Sequence, residues 1–231
     1  GVAQNTIINT LIKKERPNLH IPPHCNDCGL SLGVVEFFRQ MFNQEIFDSS
    51  GFPFWESDIS PSNPTDKTIK ETAEMLAQGK IVGWYQGHGE IGPRALGNRS
   101  ILMRPDIKDG KDILNSRVKH REHFRPFGAS VLLDNVSDYF DWTGETPYML
   151  YVMDVLDKQS FPSITHVDGT CRPQTVTEGN NFYHQLIIEF EKLTGIPMLL
   201  NTSLNNGGKP ICGSPNDALE FFTSSQMDML V

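Results

Sequence analysis

The window from Gly87 to Phe127, GHGEIGPRALGNRSILMRPDIKDGKDILNSRVKHREHFRPF, constrains the rest of the chain more than any other stretch. Between Arg94 and Arg125 it carries nine Lys/Arg against four Asp/Glu, a local charge of +5. The whole chain carries −8, so everything outside that window sums to −13. A cationic stretch inside an acidic chain does not suit general nucleic-acid binding, which draws on a basic domain. It suits a compact anion gripped by fixed guanidinium groups. A solvated helix face is the simpler alternative, but Gly, Pro, Asn and Ser punctuate the arginines.

The segments around this window set the fold class. Thr65 or Asp66 can cap a helix running to Gln78, with Gly79 as its stop. Ile81, Val82, Trp84 and Tyr85 then read as a short strand, followed by the glycine-rich QGHGEIGPRALGNRS. Such a turn can bring backbone N–H groups against a phosphate. It matches neither a Walker A motif nor a GxGxxG fingerprint. Residues 106–118 read as helix, Ser130–Leu133 and Met149–Val155 as strands, and Asn135–Phe140 as a short helical turn. Asn180–Leu193 reads as a helix stopped by Gly195, Pro197–Leu200 as a strand, and Pro215–Phe222 as a helix capped by Ser214. This alternation predicts an α/β or α+β fold with a mixed sheet.

Residues 1–43 read differently. Leu30, Leu32, Val34, Val35, Phe37, Phe38, Met41 and Phe42 cover too wide a face for a surface helix, so a buried helix is expected. Asp27 stands where its N-cap belongs, and Gly29 and Gly33 permit close backbone approach. Gly1 has no initiator Met before it, which reads as the start of a C-terminal piece. Cys25 and Cys28, near His20 and His24, leave three readings open: a zinc site, a CxxC redox pair, or ordinary thiols. Residues 44–64 lack periodicity and read as a linker packed over a surface, because Phe52, Phe54 and Trp55 need cover. No apolar run is long enough to cross a membrane, and no signal peptide opens the sequence. Four cysteines are too few for a disulfide scaffold at this length, so a cytoplasmic setting is expected.

Four polar clusters in the second part could carry chemistry. One is Glu90, Arg94, Asn98 and Arg99; another is Lys119, Arg121 and Arg125, with His120 and His123 between them. The third is DGTCRPQTV, with Asp168, Arg172 and Gln174; the fourth is Asn201, Thr202, Ser203 and Asn205 at a strand end, where ligands of open α/β sheets sit. Lys119 and Arg121 are two apart, so on an extended segment both face one anion. Ser203 and Asn205 share that spacing and can add neutral hydrogen bonds. Asp168-Gly169 and Asn205-Asn206-Gly207-Gly208 are also plain turn signals. No Ser-His-Asp order can be defended. An arginine-rich site without a nucleophile fits phosphoryl or nucleotidyl chemistry, in which positioning and charge stabilisation dominate.

GEIGPRALGNRSIL, VKHREHFRPFGASVL, DGTCRPQTV and LLNTSLN resemble, in order, motifs of the O-carbamoyltransferase family, which includes nodulation-factor, cephamycin and aminoglycoside carbamoyltransferases. The resemblance covers residues 65–231 and implies a YrdC-like domain, a twisted mixed sheet flanked by helices. It implies that 44–64 is a linker and that 1–43 is the end of an actin/Hsp70-like transferase domain. In that domain an iron-type metal is held by two His and an Asp; Asp27 matches the Asp, and the HxxxH motif is absent from this chain. The implied chemistry joins ATP, with Mg²⁺, and carbamoyl phosphate into carbamoyl-adenylate, whose carbamoyl group then passes to the hydroxyl of a small molecule or glycan. Lys119, Arg121 and Arg94 are the implied catalytic residues. Arg99, Asn98, Arg125, Arg172, Ser203 and Asn205 are the implied nucleotide and carbamoyl phosphate contacts. Arg94, Arg99, Lys119 and Arg121 should then face one groove with Ser203 and Asn205, while Lys108 and Lys111 point to solvent. The alternative is a non-catalytic nucleotide- or RNA-binding module with the same fold.

Overall fold

Hydrophobic alternation with a period of two runs through the strands of the second part and divides its core into two layers. The computed structural model describes residues 1–45, 50–56 and 63–231. In chain order its helices are α1 (Thr6–Glu15), α2 (Cys28–Met41), α3 (Asp66–Ala77), α4 (Gly110–Leu114), α5 (Val136–Tyr139), α6 (Asn181–Thr194) and α7 (Pro215–Ser224). Its strands are β1 (Phe54–Glu56), β2 (Val82–Tyr85), β3 (Gly89–Glu90), β4 (Arg99–Met103), β5 (Gly128–Leu132), β6 (Met153–Asp154), β7 (Thr170–Cys171), β8 (Pro173–Val176), β9 (Met198–Ser203) and β10 (Met229–Leu230).

Six strands form the main sheet in the order β10-β2-β4-β9-β5-β8. The outer pairs β10/β2 and β5/β8 are parallel, and the inner pairs are antiparallel. Ile101 and Met103 of β4 join Ala129, Val131 and Leu200 in one core layer, while Leu102 joins Val82, Trp84 and Leu199 in the other. Ile69, Ala73 and Leu76 of α3 and Tyr183, Leu186, Ile187 and Phe190 of α6 cover that second face. Each large side chain fully buried there contributes about 1.5–3 kcal/mol relative to exposure. The predicted mixed sheet flanked by helices is thus present.

The helix ends follow their sequence signals. Thr65 caps α3 by accepting from Thr68 N, and Ser214 and Asp217 cap α7 reciprocally, with Pro215 at its first turn. Gly195 closes α6 in the left-handed conformation. The long strand expected over Met149–Val155 shrinks to β6, because Met149 adopts a positive φ of 54° and turns the chain. The strand expected at Pro197–Leu200 instead runs on to Ser203 through its pairing with β4, which places Ser203 opposite Ser100.

Two expectations for the first part are overturned. α2 buries none of its residues: Phe37 is 63% exposed, and Leu30, Val34, Met41 and Phe42 are also exposed. The wide apolar face is real, but nothing among the described residues covers it. Asp27 makes no cap bond; Asn26 Oδ1 accepts from Cys28 N at 3.2 Å instead. Gly29 does permit close approach, since a Cβ there would lie 2.4 Å from His24 O, whereas Gly33 faces open space. The remainder of the segment docks on the sheet domain. Asn9 Nδ2 donates to Leu150 O at 2.9 Å, and Thr10 Oγ1 exchanges hydrogen bonds with the Val152 backbone. Within 44–64, β1 pairs with β3, so part of the expected linker is sheet; residues 46–49 and 57–62 lie outside the described residues. Phe52 and Trp55 pack edge to face, and His24 meets Phe52. No helix among the described residues is long and apolar enough to cross a membrane.

Candidate functional site

The glycine-rich run forms a loop that is braced from within. At its start Glu90, 4% exposed, places Oε1 against the backbone N–H groups of Leu96 (2.7 Å), Asn98 (2.8 Å) and Arg99 (3.2 Å). At its end Arg99, with no exposed surface, donates to the carbonyls of Gln86 (2.6 Å), Asn98 (3.0 Å) and Gly87 (2.9 Å). Its guanidinium also lies 3.6 Å from the centroid of the Tyr85 ring. From the sheet, Gln174 Nε2 takes Leu96 O at 2.8 Å and Asn201 Nδ2 takes Ala95 O at 3.1 Å. Ser130 Oγ joins both, donating to Gln174 Oε1 and accepting from Asn201. Gly97 packs on Tyr183 at a φ of 109°, where a Cβ would fall 2.1 Å from the ring. Two expected contacts of the groove are therefore spent inside the loop. Arg99 binds its own backbone, and Asn98 donates to His88 O at 2.7 Å while accepting from Gln86.

The second arm starts from a helix that does not reach its expected length. Residues 106–118 give only α4, followed by one π-helical turn, Asn115–Lys119. His120 then takes a left-handed φ of 46°, so Lys119 and Arg121 are not on an extended segment and the two-residue alternation does not apply. Lys119 is 2% exposed, and its Nζ touches Ser203 O (2.8 Å), Ser203 Oγ (3.3 Å), Asn205 O (2.8 Å) and Asn205 Oδ1 (2.6 Å). Burial, then the neighbouring Arg121, pushes its pKa down to about 7. Arg121 Nε donates to Asn115 Oδ1 at 2.7 Å, and its guanidinium lies over the Phe127 ring. Burial and Arg125 lower Arg121 to about 10.

Arg172 connects the two arms. Burial lowers it to about 10, with Arg94 and Arg121 adding cationic repulsion. Burial also lowers Arg94. The Nε atoms of Arg94 and Arg172 are buried without an acceptor, and neither residue, nor Lys119 or Arg121, makes a salt bridge among the described residues. A cleft of about 550 Å³ lies between Gly92 and Pro93 on one side and Ser203 and Asn205 on the other. The structure thus gathers Lys119, Ser203 and Asn205 in direct contact and places Arg94, Arg121 and Arg172 in one electrostatic neighbourhood. Arg125 is exposed at the rim, 3.9 Å from Glu122.

Other assignments change. Lys108 is exposed as expected, but Lys111 turns inward and donates to Thr165 O at 2.6 Å. Asp168 shapes a turn by accepting from Thr170. Asp27 is exposed, and no three His, Cys, Asp or Glu side chains converge among the described residues, so this chain by itself does not hold the two His that the resemblance pairs with Asp27. The four cysteines are free thiols. Asn115, fully buried, was missed by sequence reasoning: besides holding Arg121 it donates to Arg125 O at 3.1 Å. Its signal was a polar residue inside the apolar rhythm of DILNSRV.

A mixed six-stranded sheet flanked by helices, with Lys119, Ser203 and Asn205 gathered at the end of β9, is a YrdC-like fold. P. abyssi Sua5, solved in complex with L-threonine, aligns with a TM-score of 0.50 at 16% identity, covering 73% of this chain and 47% of that one. E. coli YciO aligns at 0.51 and 16% identity, covering 74% and 80%. The sequence itself gives the family: the profile of the carbamoyltransferase C-terminus matches residues 73–231, and the chain belongs to that family. It is 35% identical to nodulation protein NolO of Bradyrhizobium diazoefficiens over all of this chain and 47% of that protein. It is 34% identical to the 3'-hydroxymethylcephem-O-carbamoyltransferase of Amycolatopsis lactamdurans over 93% of this chain and 43% of that protein. The chain spans about half the length of the curated relatives it matches.

Proposed function

We propose that residues 65–231 bind ATP, with Mg²⁺, and carbamoyl phosphate, and form carbamoyl-adenylate for transfer to a hydroxyl on a small molecule or glycan. The observation that carries this reading is the electrostatic neighbourhood of Arg172 with Arg94 and Arg121, and of Lys119 with Arg121, in which none of the four makes a salt bridge among the described residues. Together the two substrates bring several negative charges, which such a set can offset. The buried Nε donors of Arg94 and Arg172 find their acceptors in phosphate oxygens on this reading. Ser203 and Asn205 supply neutral groups for the carbamoyl or ribose hydrogen bonds. Forming the adenylate makes a bond from a carbamoyl oxygen to the α-phosphorus and releases pyrophosphate. The carbamoyl group gives up its own phosphate, and one water is consumed in the sum. The protein's share is to hold the reacting atoms together and to stabilise the charge on the α-phosphate and the leaving group.

Residues 1–43 are read as the end of a preceding actin/Hsp70-like domain, with the apolar face of α2 as the surface that domain covers. Calorimetry tests the nucleotide reading. Wild type should bind ATP, and the Lys119→Ala Arg121→Ala double variant should not. Absence of binding to wild type would sink it. Pyrophosphate release that depends on carbamoyl phosphate separates catalysis from a pure binding module, which releases none.

A further inference from the structure

The carboxylate of Glu90 is buried and forms no salt bridge among the described residues. Its Oε1 instead collects three backbone donors from the far end of the loop: Leu96 N, Asn98 N and Arg99 N at 2.7, 2.8 and 3.2 Å. A carboxylate oxygen accepts more strongly than an amide oxygen, and the three backbone N–H groups oppose the burial that raises the pKa of Glu90. Asn201 and Gln174 take the carbonyls of Ala95 and Leu96 from the opposite side. The run 95–99 is therefore held through its N–H groups by Glu90 and through its C=O groups by the sheet. Arg94 is the last residue before that fixed run. Pro93, whose ring fixes its φ, precedes it. Arg94 itself makes no hydrogen bond among the described residues, and its Nε is buried without an acceptor. With no polar partner among the described residues, this largely buried side chain takes its direction from the backbone on which it stands and the packing around it.

We propose that Glu90 is the positioning residue of the site: its carboxylate clamps the 95–99 backbone and thereby aims Arg94 at the anion. This rests on the reading of the cleft as an ATP and carbamoyl phosphate site. The proposal separates two roles within one four-residue cluster. Arg99 holds the loop to the body of the domain through carbonyls, and Glu90 sets the pose of its working arginine through amides.

The test is a double-mutant cycle on the chain as it stands, with ATP affinity read by calorimetry and amide exchange read alongside. Glu90→Gln keeps the shape and removes the charge, so charge-assisted bonds become ordinary ones. It should raise the Kd for ATP roughly tenfold in the wild-type background. In the Arg94→Ala background the same change should shift Kd by less than about twofold, because the residue through which Glu90 acts is gone. Exchange should quicken at Leu96, Asn98 and Arg99 and stay unchanged in α3 and α6. Equal Kd shifts in both backgrounds, or no shift in either, overturn the proposal. A purely structural Glu90 would lower the melting temperature without that coupling. If Glu90→Gln does not fold, Glu90→Asp, which keeps the charge and shortens the arm, carries the same cycle. Wild type that binds no ATP defeats the underlying reading instead; unchanged exchange at the three amides then defeats the clamp on its own.

Discussion

The two arms of the cleft are both rich in basic residues, yet they use them in opposite ways. In the arm from Gln86 to Arg99, the most buried charge is turned inward: Arg99 satisfies three carbonyls of its own loop. In the arm from Asn115 to Phe127, the cations lean on one another. Burial and Arg121 lower Lys119, burial and Arg125 lower Arg121, and neutral oxygens accept from both. Density of arginines thus says little about ligand contacts. What decides is whether a buried guanidinium has already found its acceptors.

The largest expected effect falls on the inward-facing charge. Arg99→Leu leaves three carbonyls without their donor and should cost about 3 kcal/mol or more of stability, read as a fall in melting temperature. A variant that melts like wild type but binds ATP poorly would erase the distinction between the arms. Next comes Lys119→Ala, which should weaken ATP binding by roughly a hundredfold with a much smaller change in melting temperature than Arg99→Leu. If that order were reversed, Lys119 would belong with the structural charges. A third effect is pH dependence. Burial depresses Lys119 in the free protein to about 7, so its proton is lost as pH rises through that value. A bound anion favours the protonated form, so affinity should be highest below pH 7 and decline above it. The decline should flatten in Lys119→Ala. The depressed value also means that the unfolded chain binds more protons than the folded one between about 7 and 10.5, so this group raises stability with pH across that window. The smallest effect belongs to Arg125→Ala at the exposed rim, expected to change affinity by about threefold or less and to vanish at high salt.

Much of the architecture was legible because its signals are local. Thr65, Gly79, Gly195 and the Ser214-Pro215 pair each satisfy or terminate a helix within a few residues, and the structure honours them. The same locality explains the failures. A wide apolar face reads as burial, but burial needs a partner, and for Phe37 and Phe42 none is present among the described residues. Spacing of two placed Lys119 and Arg121 together for the wrong reason, since a π turn and a left-handed His120 do the work that a strand was expected to do. Asn98 and Arg99 looked like ligand contacts because their types are right. Only the fold shows that Gln86, Gly87 and His88 already occupy them. Asn201, Ser130 and Gln174 could not be joined from sequence, because they meet only once β9, β5 and β8 lie side by side.

The four oxygens around Lys119 Nζ carry a kinetic consequence. An ammonium has three protons to donate, and in the free protein Ser203 and Asn205 already offer more acceptors than it can use. An incoming phosphate therefore meets an occupied lysine and has to exchange with oxygens of the 203–205 turn. Stopped-flow traces should then show a rate that levels off with ligand concentration, set by how often the turn lets go. Loosening the turn with Asn205→Ala should lift that plateau even where it weakens the final complex.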